Sequence, residues 1–338
     1  MGVPLWRSAG AIRMSFGPLA DEATIGAACA RIERCGAALR ASCLIPSERD
    51  AVPHDGLLQL GVEGACGWLV LDAASGSCVV IDPLPEMTAR VASYVRCQNY
   101  RVLAVVGTSV DAGRQSLVDA LGDHYVAEST DEFGWPAATP VALEHGVMGR
   151  AIEVGAQVLV SMGAGAGNAA RAYLLGTVDD GRLPASAVRF AFSAGSQDEA
   201  VRAVSGAQTL LCPTRDDHNQ FCASMAKAES QAAAQADMQL DSGELDAFLS
   251  AHPDAVLIDV REAYEFAATV VPGPGGRVAH SVPLSRLAGQ ASEWLRGEQR
   301  PLVFFCRSGN RSMKATQCLR RLGHQQSYSL SGGLALAA

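Results

Sequence analysis

The sequence has 338 residues and a net charge of −8, with 49% hydrophobic and 18% charged residues. This length corresponds to about two to three domains, and the hydrophobic content excludes an extensively disordered protein. The acidic balance, without a run of basic residues, argues against binding to nucleic acid or to an anionic membrane. No apolar run of about 18 residues predicts a membrane span, and no signal peptide is recognisable, so the predicted compartment is the cytoplasm.

Residues 1–50 predict one strand at 10–17 and one helix from Asp21 to about Cys43, without a sheet of their own. Residues 55–225 read as strands alternating with turns and a helix at 87–97. The predicted strands of this part are 67–72, 78–82, 101–106, 157–160, 172–175, 188–192 and 209–212.

Residues 226–240 are rich in Ala and Gln and predict a helical or loose linker. The remaining residues, 241–338, predict a compact α/β domain. Its helices are expected at 243–251 and 312–322, and its strands at 256–259, 302–306 and 327–330. Strands that alternate with helices indicate a parallel sheet.

The cysteines separate into one candidate nucleophile and a set of core residues. There are ten cysteines, and none forms a C-x-x-C pair. That pattern excludes a disulfide scaffold, a zinc ribbon and a thioredoxin-like motif. Most of them, including Cys318 on the helix at 312–322, are predicted to be small buried residues.

Cys306 differs from the other cysteines because it ends a buried strand and begins the loop Cys-Arg-Ser-Gly-Asn-Arg, which leads into a helix. The carboxyl end of a parallel strand is the usual ligand position of an α/β sheet. Backbone N–H groups of such a loop, the helix N-terminus, Arg307 and Arg311 all favour a thiolate. The sequence therefore predicts a nucleophilic Cys306; the alternative is a buried core thiol.

Residues 241–338 resemble the rhodanese-like domain family. The resemblance rests on Leu257–Glu262 (Leu-Ile-Asp-Val-Arg-Glu), on Val282–Arg286, on the loop Cys306–Arg311 and on Ser331–Gly333. It implies that Cys306 accepts a sulfur atom and becomes a persulfide. It also implies that a substrate contacts the rest of the loop, which consists of Arg307, Ser308, Gly309, Asn310 and Arg311.

The same resemblance implies that Asp259 and Arg261 support the loop from the neighbouring strand end. For Arg261, an ion pair inside the domain is an equally good interpretation. His280 and His324 are expected at the surface.

Residues 55–225 resemble a metallo-β-lactamase-fold domain of the kind fused to rhodanese domains in persulfide dioxygenases, through strands 67–72 and 79–83. The metal-binding His-x-His-x-Asp-His motif of that family is replaced by Ser109–Arg114. Asp111, Asp216 and His218 remain as candidate ligands, too few for a convincing iron or zinc site. We therefore expect a degenerate αββα scaffold with no metal and no other cofactor.

Residues 10–41 resemble the C-terminal tail of class V aminotransferases, which include cysteine desulfurases. Neither lysine of the chain, Lys227 or Lys314, occupies the pyridoxal phosphate position of that family. The resemblance makes a cysteine desulfurase a candidate partner.

These observations predict an α/β protein with a degenerate metallo-β-lactamase-like domain followed by a rhodanese-like domain. The predicted function is sulfur transfer through Cys306, from thiosulfate or a persulfide to a thiol or cyanide. The alternative is a noncatalytic sulfur carrier or binding partner of a cysteine desulfurase. A persulfide dioxygenase is disfavoured by the missing metal ligands.

Overall fold

The computed structural model describes residues 21–41, 55–110, 113–162, 170–194, 198–216, 220–225, 238–262, 265–266 and 274–335. The helix predicted after Asp21 is present as α1, Glu22–Ala41. The strand predicted at 10–17 and most of the predicted linker lie outside these ranges, and the aminotransferase resemblance stays a prediction. Among the described helices, none is both long and apolar enough to cross a membrane.

Two sheets form the middle part of the chain, a four-stranded sheet and a seven-stranded sheet. The four-stranded sheet has the order β1-β2-β3-β4, with β4 parallel to β3 and the other pairs antiparallel. Its elements in chain order are β1 (Gly56–Val62), β2 (Ala65–Asp72), β3 (Ser77–Ile81), α2 (Thr88–Gln98), β4 (Arg101–Val106) and α3 (Gly113–Leu121).

The seven-stranded sheet has the order β11-β10-β9-β8-β7-β6-β5. All its pairs are antiparallel except β9 with β10. Its elements are β5 (Thr139–Ala142), β6 (Met148–Val154), β7 (Gln157–Met162), β8 (Ala172–Gly176), β9 (Val188–Ser193), α4 (Asp198–Ala203), β10 (Leu210–Pro213) and β11 (Ala223–Ser224).

The two sheets pack face to face, because alternate strand residues point to opposite faces and both inner faces are apolar. Trp68 and Ile81 of the first sheet share a buried cluster with Tyr173 and Phe192 of the second. Separate clusters bury the outer faces under α2 and α3 on one side and under α4 on the other. The result is the αββα arrangement expected for this part of the chain.

The C-terminal domain has a five-stranded sheet in the order β12-β16-β15-β13-β14, and all its pairs are parallel. Helices cover both faces of this sheet. Its elements are β12 (Gln239–Leu240), α5 (Ser242–Ala251), β13 (Val256–Asp259), β14 (Ala279–Ser281), α6 (Leu287–Arg296), β15 (Leu302–Phe305), α7 (Asn310–Arg321) and β16 (Ser327–Leu330).

The C-terminal domain packs directly on the middle part. Gly289 of α6 lies against Leu57, where an added Cβ would stand 3.1 Å from the Leu57 carbonyl oxygen. Arg296 donates to the carbonyl oxygen of Val188 at 3.1 Å, and Arg189 pairs with Glu293. The apolar cluster between the two sheets continues into this interface.

Three local predictions need correction. Gln239 and Leu240, which were assigned to the linker, form β12 because they pair with β16. Helix α7 begins at Asn310 rather than 312, because Gly309 takes a left-handed conformation that starts the helix inside the loop. His324 is buried rather than exposed, since its Nδ1 lies 2.9 Å from the Ser327 hydroxyl. His280 is exposed, as predicted.

Candidate functional site

Cys306 lies at the carboxyl end of β15, an interior strand flanked by β13 and β16. The strand is fully apolar, Leu-Val-Phe-Phe, because both of its faces are covered. Only 1% of Cys306 is exposed. The sheet therefore holds the thiol rigidly at the edge where α/β proteins place ligands.

The loop after β15 folds around the Cys306 sulfur. The Gly309 N–H donates to Sγ at 3.2 Å, and the Ser312 hydroxyl lies 3.8 Å from it. Burial raises the pKa of the Cys306 thiol. Hydrogen bonds from the N–H groups of Ser312, Ser308 and Arg311 and from the Ser312 hydroxyl outweigh burial, so the pKa falls below its ordinary value of 9.0. The loop thus stabilises a thiolate, which is the reactive form of cysteine.

Ser312 is fixed by a second set of hydrogen bonds behind the sulfur. Its hydroxyl lies 3.0 Å from the carbonyl oxygen of Gly309 and 2.9 Å from the hydroxyl of Ser329 on β16, and its one proton turns from Gly309 to Cys306 when the thiolate forms. Both serines are buried. The sheet therefore positions the hydroxyl that approaches Cys306.

We expect Ser312→Ala to move the pH profile of Cys306 alkylation by iodoacetamide to higher pH. The thiolate forms as the pH rises through the Cys306 pKa, and losing a donor raises that pKa. A hydrogen bond to a charged group contributes about 1.5–3 kcal/mol, so alkylation near neutral pH should slow by about tenfold or more. The matched control is Ser308→Ala, which retains the backbone N–H that serves Cys306. An unshifted profile in Ser312→Ala would show that the hydroxyl does not tune the thiol.

Two glycines allow the chain to close around the loop. Gly309 has a φ of +90°, which begins α7 without a side chain. A Cβ on Gly333 would lie 2.2 Å from the carbonyl oxygen of Cys306. The following N–H groups of Leu334 and Ala335 donate to the carbonyl oxygens of Cys306 and Arg307 at 2.9 and 3.0 Å. The Ser331–Gly333 segment therefore forms one wall of the loop.

The other predicted loop residues occupy its rim. Arg307, Ser308 and Asn310 are exposed. Arg311 is half-buried and makes a bidentate ion pair with Glu265, at 2.5 and 2.8 Å. The structure thus brings the predicted loop residues together around Cys306, with Arg307 facing solvent and Arg311 held by a carboxylate.

Asp259 and Arg261 form a buried ion pair with each other. Three hydrogen bonds of 2.6–3.0 Å join the guanidinium to the carboxylate. The backbone N–H of Arg261 also donates to Asp259, at 2.9 Å. The charge of Arg261 helps to lower the pKa of Glu265, the partner of Arg311. The pair therefore reaches the loop through Glu265, and the role of both residues as loop support stays a prediction.

The acidic partner of the loop, Glu265, was not predicted from the sequence. Hydrogen bonds from Arg311 lower the pKa of Glu265, whereas burial raises the pKa of the neighbouring Glu262. Glu265 also accepts from the Glu262 N–H at 3.1 Å. The signal in the sequence was the spacing of two glutamates, which places them one turn apart after β13. Their partner Arg311 is distant in the sequence, which hides the contact.

The middle part offers no metal centre among the residues that the structure describes. Of the three candidate ligands, Asp111 and His218 lie outside the described ranges. Asp216 accepts from the N–H groups of Gln220 and Phe221 at 2.7 and 2.8 Å. A carboxylate committed to a turn in this way does not fit a metal site, so no step is assigned to a metal.

The model of the rhodanese-like domain matches residues 241–336. The human thiosulfate:glutathione sulfurtransferase is 35% identical over 85 residues, which are 23% of this chain and 74% of that protein. A sulfurtransferase from Allochromatium vinosum is 30% identical over 96 residues, 28% of this chain and 83% of that protein. This chain spans only 40% and 63% of two other relatives, from Synechocystis and Bacillus subtilis.

Solved structures also align with the chain. ETHE1 from Myxococcus xanthus aligns with a TM-score of 0.37 and 17% identity, over 51% of this chain and 80% of that chain. A metallo-β-lactamase from Staphylococcus aureus aligns with a TM-score of 0.34 and 12% identity, over 81% of this chain and 98% of that chain. The αββα arrangement itself rests on the strand topology described above. Through residues 241–336, which carry the Cys306 loop, the chain belongs to the rhodanese-like family.

Proposed function

We propose that the protein transfers sulfane sulfur through a persulfide on Cys306. The observation that carries this proposal is the sulfur-facing loop, in which Gly309, Ser308, Arg311 and Ser312 donate hydrogen bonds to Cys306. A site that stabilises a thiolate can equally stabilise the anionic terminal sulfur of a persulfide. Membership of the rhodanese-like family supports sulfur transfer as the class of reaction.

The reaction proceeds in two displacements with a covalent intermediate. The Cys306 thiolate attacks the outer sulfur of thiosulfate, a new S–S bond forms, and sulfite leaves with the electron pair of the broken bond. The thiolate of an acceptor, or cyanide, then attacks the outer sulfur of the persulfide. Cys306 departs as a thiolate, and the acceptor carries the sulfur as a persulfide or as thiocyanate.

The charges at the rim favour a persulfide over thiosulfate as the donor. Arg307 is exposed and suits an anion, but Arg311 is neutralised by Glu265, and Glu262 lies beside this pair. A dianion therefore meets less net positive charge than two loop arginines suggest. A persulfide donor reacts as the uncharged R–S–SH group: the Cys306 thiolate attacks the outer sulfur, and the inner sulfur leaves as a thiolate with the electron pair of the broken S–S bond. The two glutamates oppose this uncharged group less than a dianion.

We expect wild-type protein incubated with thiosulfate or with cysteine persulfide to gain one sulfur atom, faster with the persulfide. Tryptic digestion without reductant should locate this atom on the peptide 297–307, whose only cysteine is Cys306. Intact-mass and peptide-mass measurements check both points. Cyanide should then remove the atom as thiocyanate. Sulfur on another cysteine-containing peptide, or no sulfur with either donor, would contradict the proposal.

A further inference from the structure

A second pair of thiols meets at the interface between the two parts of the chain. Cys222, just before β11, and Cys318, near the end of α7, belong to the same buried cluster, and the Cys222 N–H donates to the carbonyl oxygen of Gln220 at 2.8 Å. Cys318 Sγ also lies 3.3 Å from the carbonyl oxygen of Gln220. The sulfur chemistry proposed for Cys306 uses neither thiol.

Arg321 joins the two chain segments that carry this pair through hydrogen bonds. Its guanidinium donates to the carbonyl oxygens of Gln220 at 2.5 Å and of Cys222 at 2.9 Å. The same Nη2 lies 3.9 Å from Cys318 Sγ. Because Arg321 and Cys318 share α7, this clamp fixes the helix against the Cys222 segment and keeps the two sulfurs together.

The two thiols differ in their readiness to ionise. A side-chain hydrogen bond from Cys222, aided by the charge of Arg321, lowers the pKa of Cys318. The same hydrogen bond, together with burial, raises the pKa of Cys222. Cys318 is therefore the more readily ionised of the two thiols. Such an unequal pair suits stepwise oxidation, in which the thiolate reacts first.

A small oxidant can reach the Cys222 side of the pair. A cavity of about 230 Å³, open to solvent, is lined by Cys222, Gln220 and Asp216 among others. Cys318 does not line this cavity, but its Sγ lies 3.3 Å from the carbonyl oxygen of Gln220, which does. A water molecule takes about 30 Å³ of liquid volume, so the cavity admits a molecule of the size of hydrogen peroxide. Both cysteines themselves are almost fully buried, at 1% and 2% exposure, which disfavours larger thiol reagents.

We propose that Cys222 and Cys318 are a peroxide-sensitive pair that closes into a disulfide between the middle part and the rhodanese-like domain. The Cys318 thiolate attacks one peroxide oxygen, the O–O bond breaks, and the sulfur becomes a sulfenic acid with release of hydroxide. The Cys222 sulfur then attacks the sulfenic sulfur. An S–S bond forms, and the sulfenic hydroxyl leaves as water by taking the proton of Cys222. Overall, the two thiols have lost two electrons to peroxide.

The bond would join α7, whose first residues belong to the Cys306 loop, to the segment before β11. Cross-linking residues so far apart in the sequence restricts the unfolded chain and stabilises the folded one. Oxidised protein should therefore melt at a higher temperature than reduced protein. This proposal stands independently of sulfur transfer at Cys306.

Peptide mapping of the full chain tests the proposal. Wild-type protein is treated with hydrogen peroxide, quenched with catalase, denatured in N-ethylmaleimide and digested with trypsin. The peptides 216–227 and 315–320 each contain one cysteine, Cys222 and Cys318 respectively. A linked species of these two peptides, released by dithiothreitol, is the expected result. Recovery of both peptides with maleimide attached, at a peroxide dose that oxidises Cys306, would overturn the proposal.

Thermal unfolding supplies a second readout with a matched control. Peroxide is expected to raise the melting temperature of wild-type protein and to leave that of Cys222→Ser unchanged. An equal rise in both proteins would also overturn the proposal. If Cys222→Ser does not fold, the linked peptide in wild-type protein still decides the question.

Discussion

Replacing Cys306 by serine is expected to lower sulfur transfer from thiosulfate to cyanide by at least about a thousandfold. Serine is close to cysteine in size, so the loop and its donors stay in place. Its hydroxyl does not ionise near neutral pH, however, and the hydrogen bonds that lower the Cys306 pKa then have no thiolate to stabilise. The variant can still bind the anion, but it has no nucleophile to attack the sulfur.

The matched control for this substitution is Cys97→Ser. Cys97 is a half-buried cysteine on α2, packed in the cluster under the four-stranded sheet and not in the domain that carries the loop. This variant should keep the wild-type rate of thiocyanate formation. If Cys306→Ser retained full activity, the sulfur acceptor would have to be another residue.

Local sequence pattern made three of the five strands of the C-terminal domain predictable, namely β13, β15 and β16. Val256–Asp259 and Ser327–Leu330 have the predicted bounds: the first is a short apolar run after a polar turn, and the second alternates Ser with Tyr and Leu. The Cys306 loop was predictable for the same reason, since a buried strand must end where an Arg-Ser-Gly-Asn sequence begins. Local sequence therefore defined the nucleophile and the loop that surrounds it.

Elements whose pattern is set by distant partners were not predictable. β14, Ala279–Ser281, is short and partly exposed, and it is a strand only through its pairing with β13. β6, Met148–Val154, alternates weakly and contains Gly149, which packs under Val160 of β7. In both cases the neighbouring strand supplies the structure, in agreement with the strong context dependence of strand propensity.

Contacts between charged or polar side chains were also not predicted from the sequence. His324 is polar and follows a helix-ending glycine, which favoured a surface position, yet a hydrogen bond to Ser327 satisfies it in the core. Glu265 pairs with Arg311 across a long stretch of sequence. Such contacts depend on tertiary geometry, so one sequence without relatives gives no signal for them. The carboxylate at Arg311 is the part of the site that changes the functional interpretation most.

Gly333→Ala is expected to lower sulfur transfer by about a hundredfold, because a displacement of about 1 Å at a reacting group can have an effect of that size. The added Cβ would lie 2.2 Å from the Cys306 carbonyl oxygen and 2.9 Å from the Arg307 carbonyl carbon. Both atoms are backbone, so no side chain can rotate away. The loop must shift, and with it the N–H groups that face Cys306 Sγ.

The matched control is Gly323→Ala, since Gly323 also has a positive φ, +104° against +55° for Gly333. A Cβ on Gly323 would meet no described atom within 4 Å. Both variants therefore carry the left-handed backbone penalty of about 1–2 kcal/mol, but only Gly333→Ala adds the collision. We expect both proteins to lose some stability in thermal unfolding and only Gly333→Ala to lose sulfur transfer. Equal activities in the two variants would mean that the 331–333 wall does not hold the loop. The thiolate would then depend on the end of β15 and on the donors of the loop itself, including the Gly309 N–H.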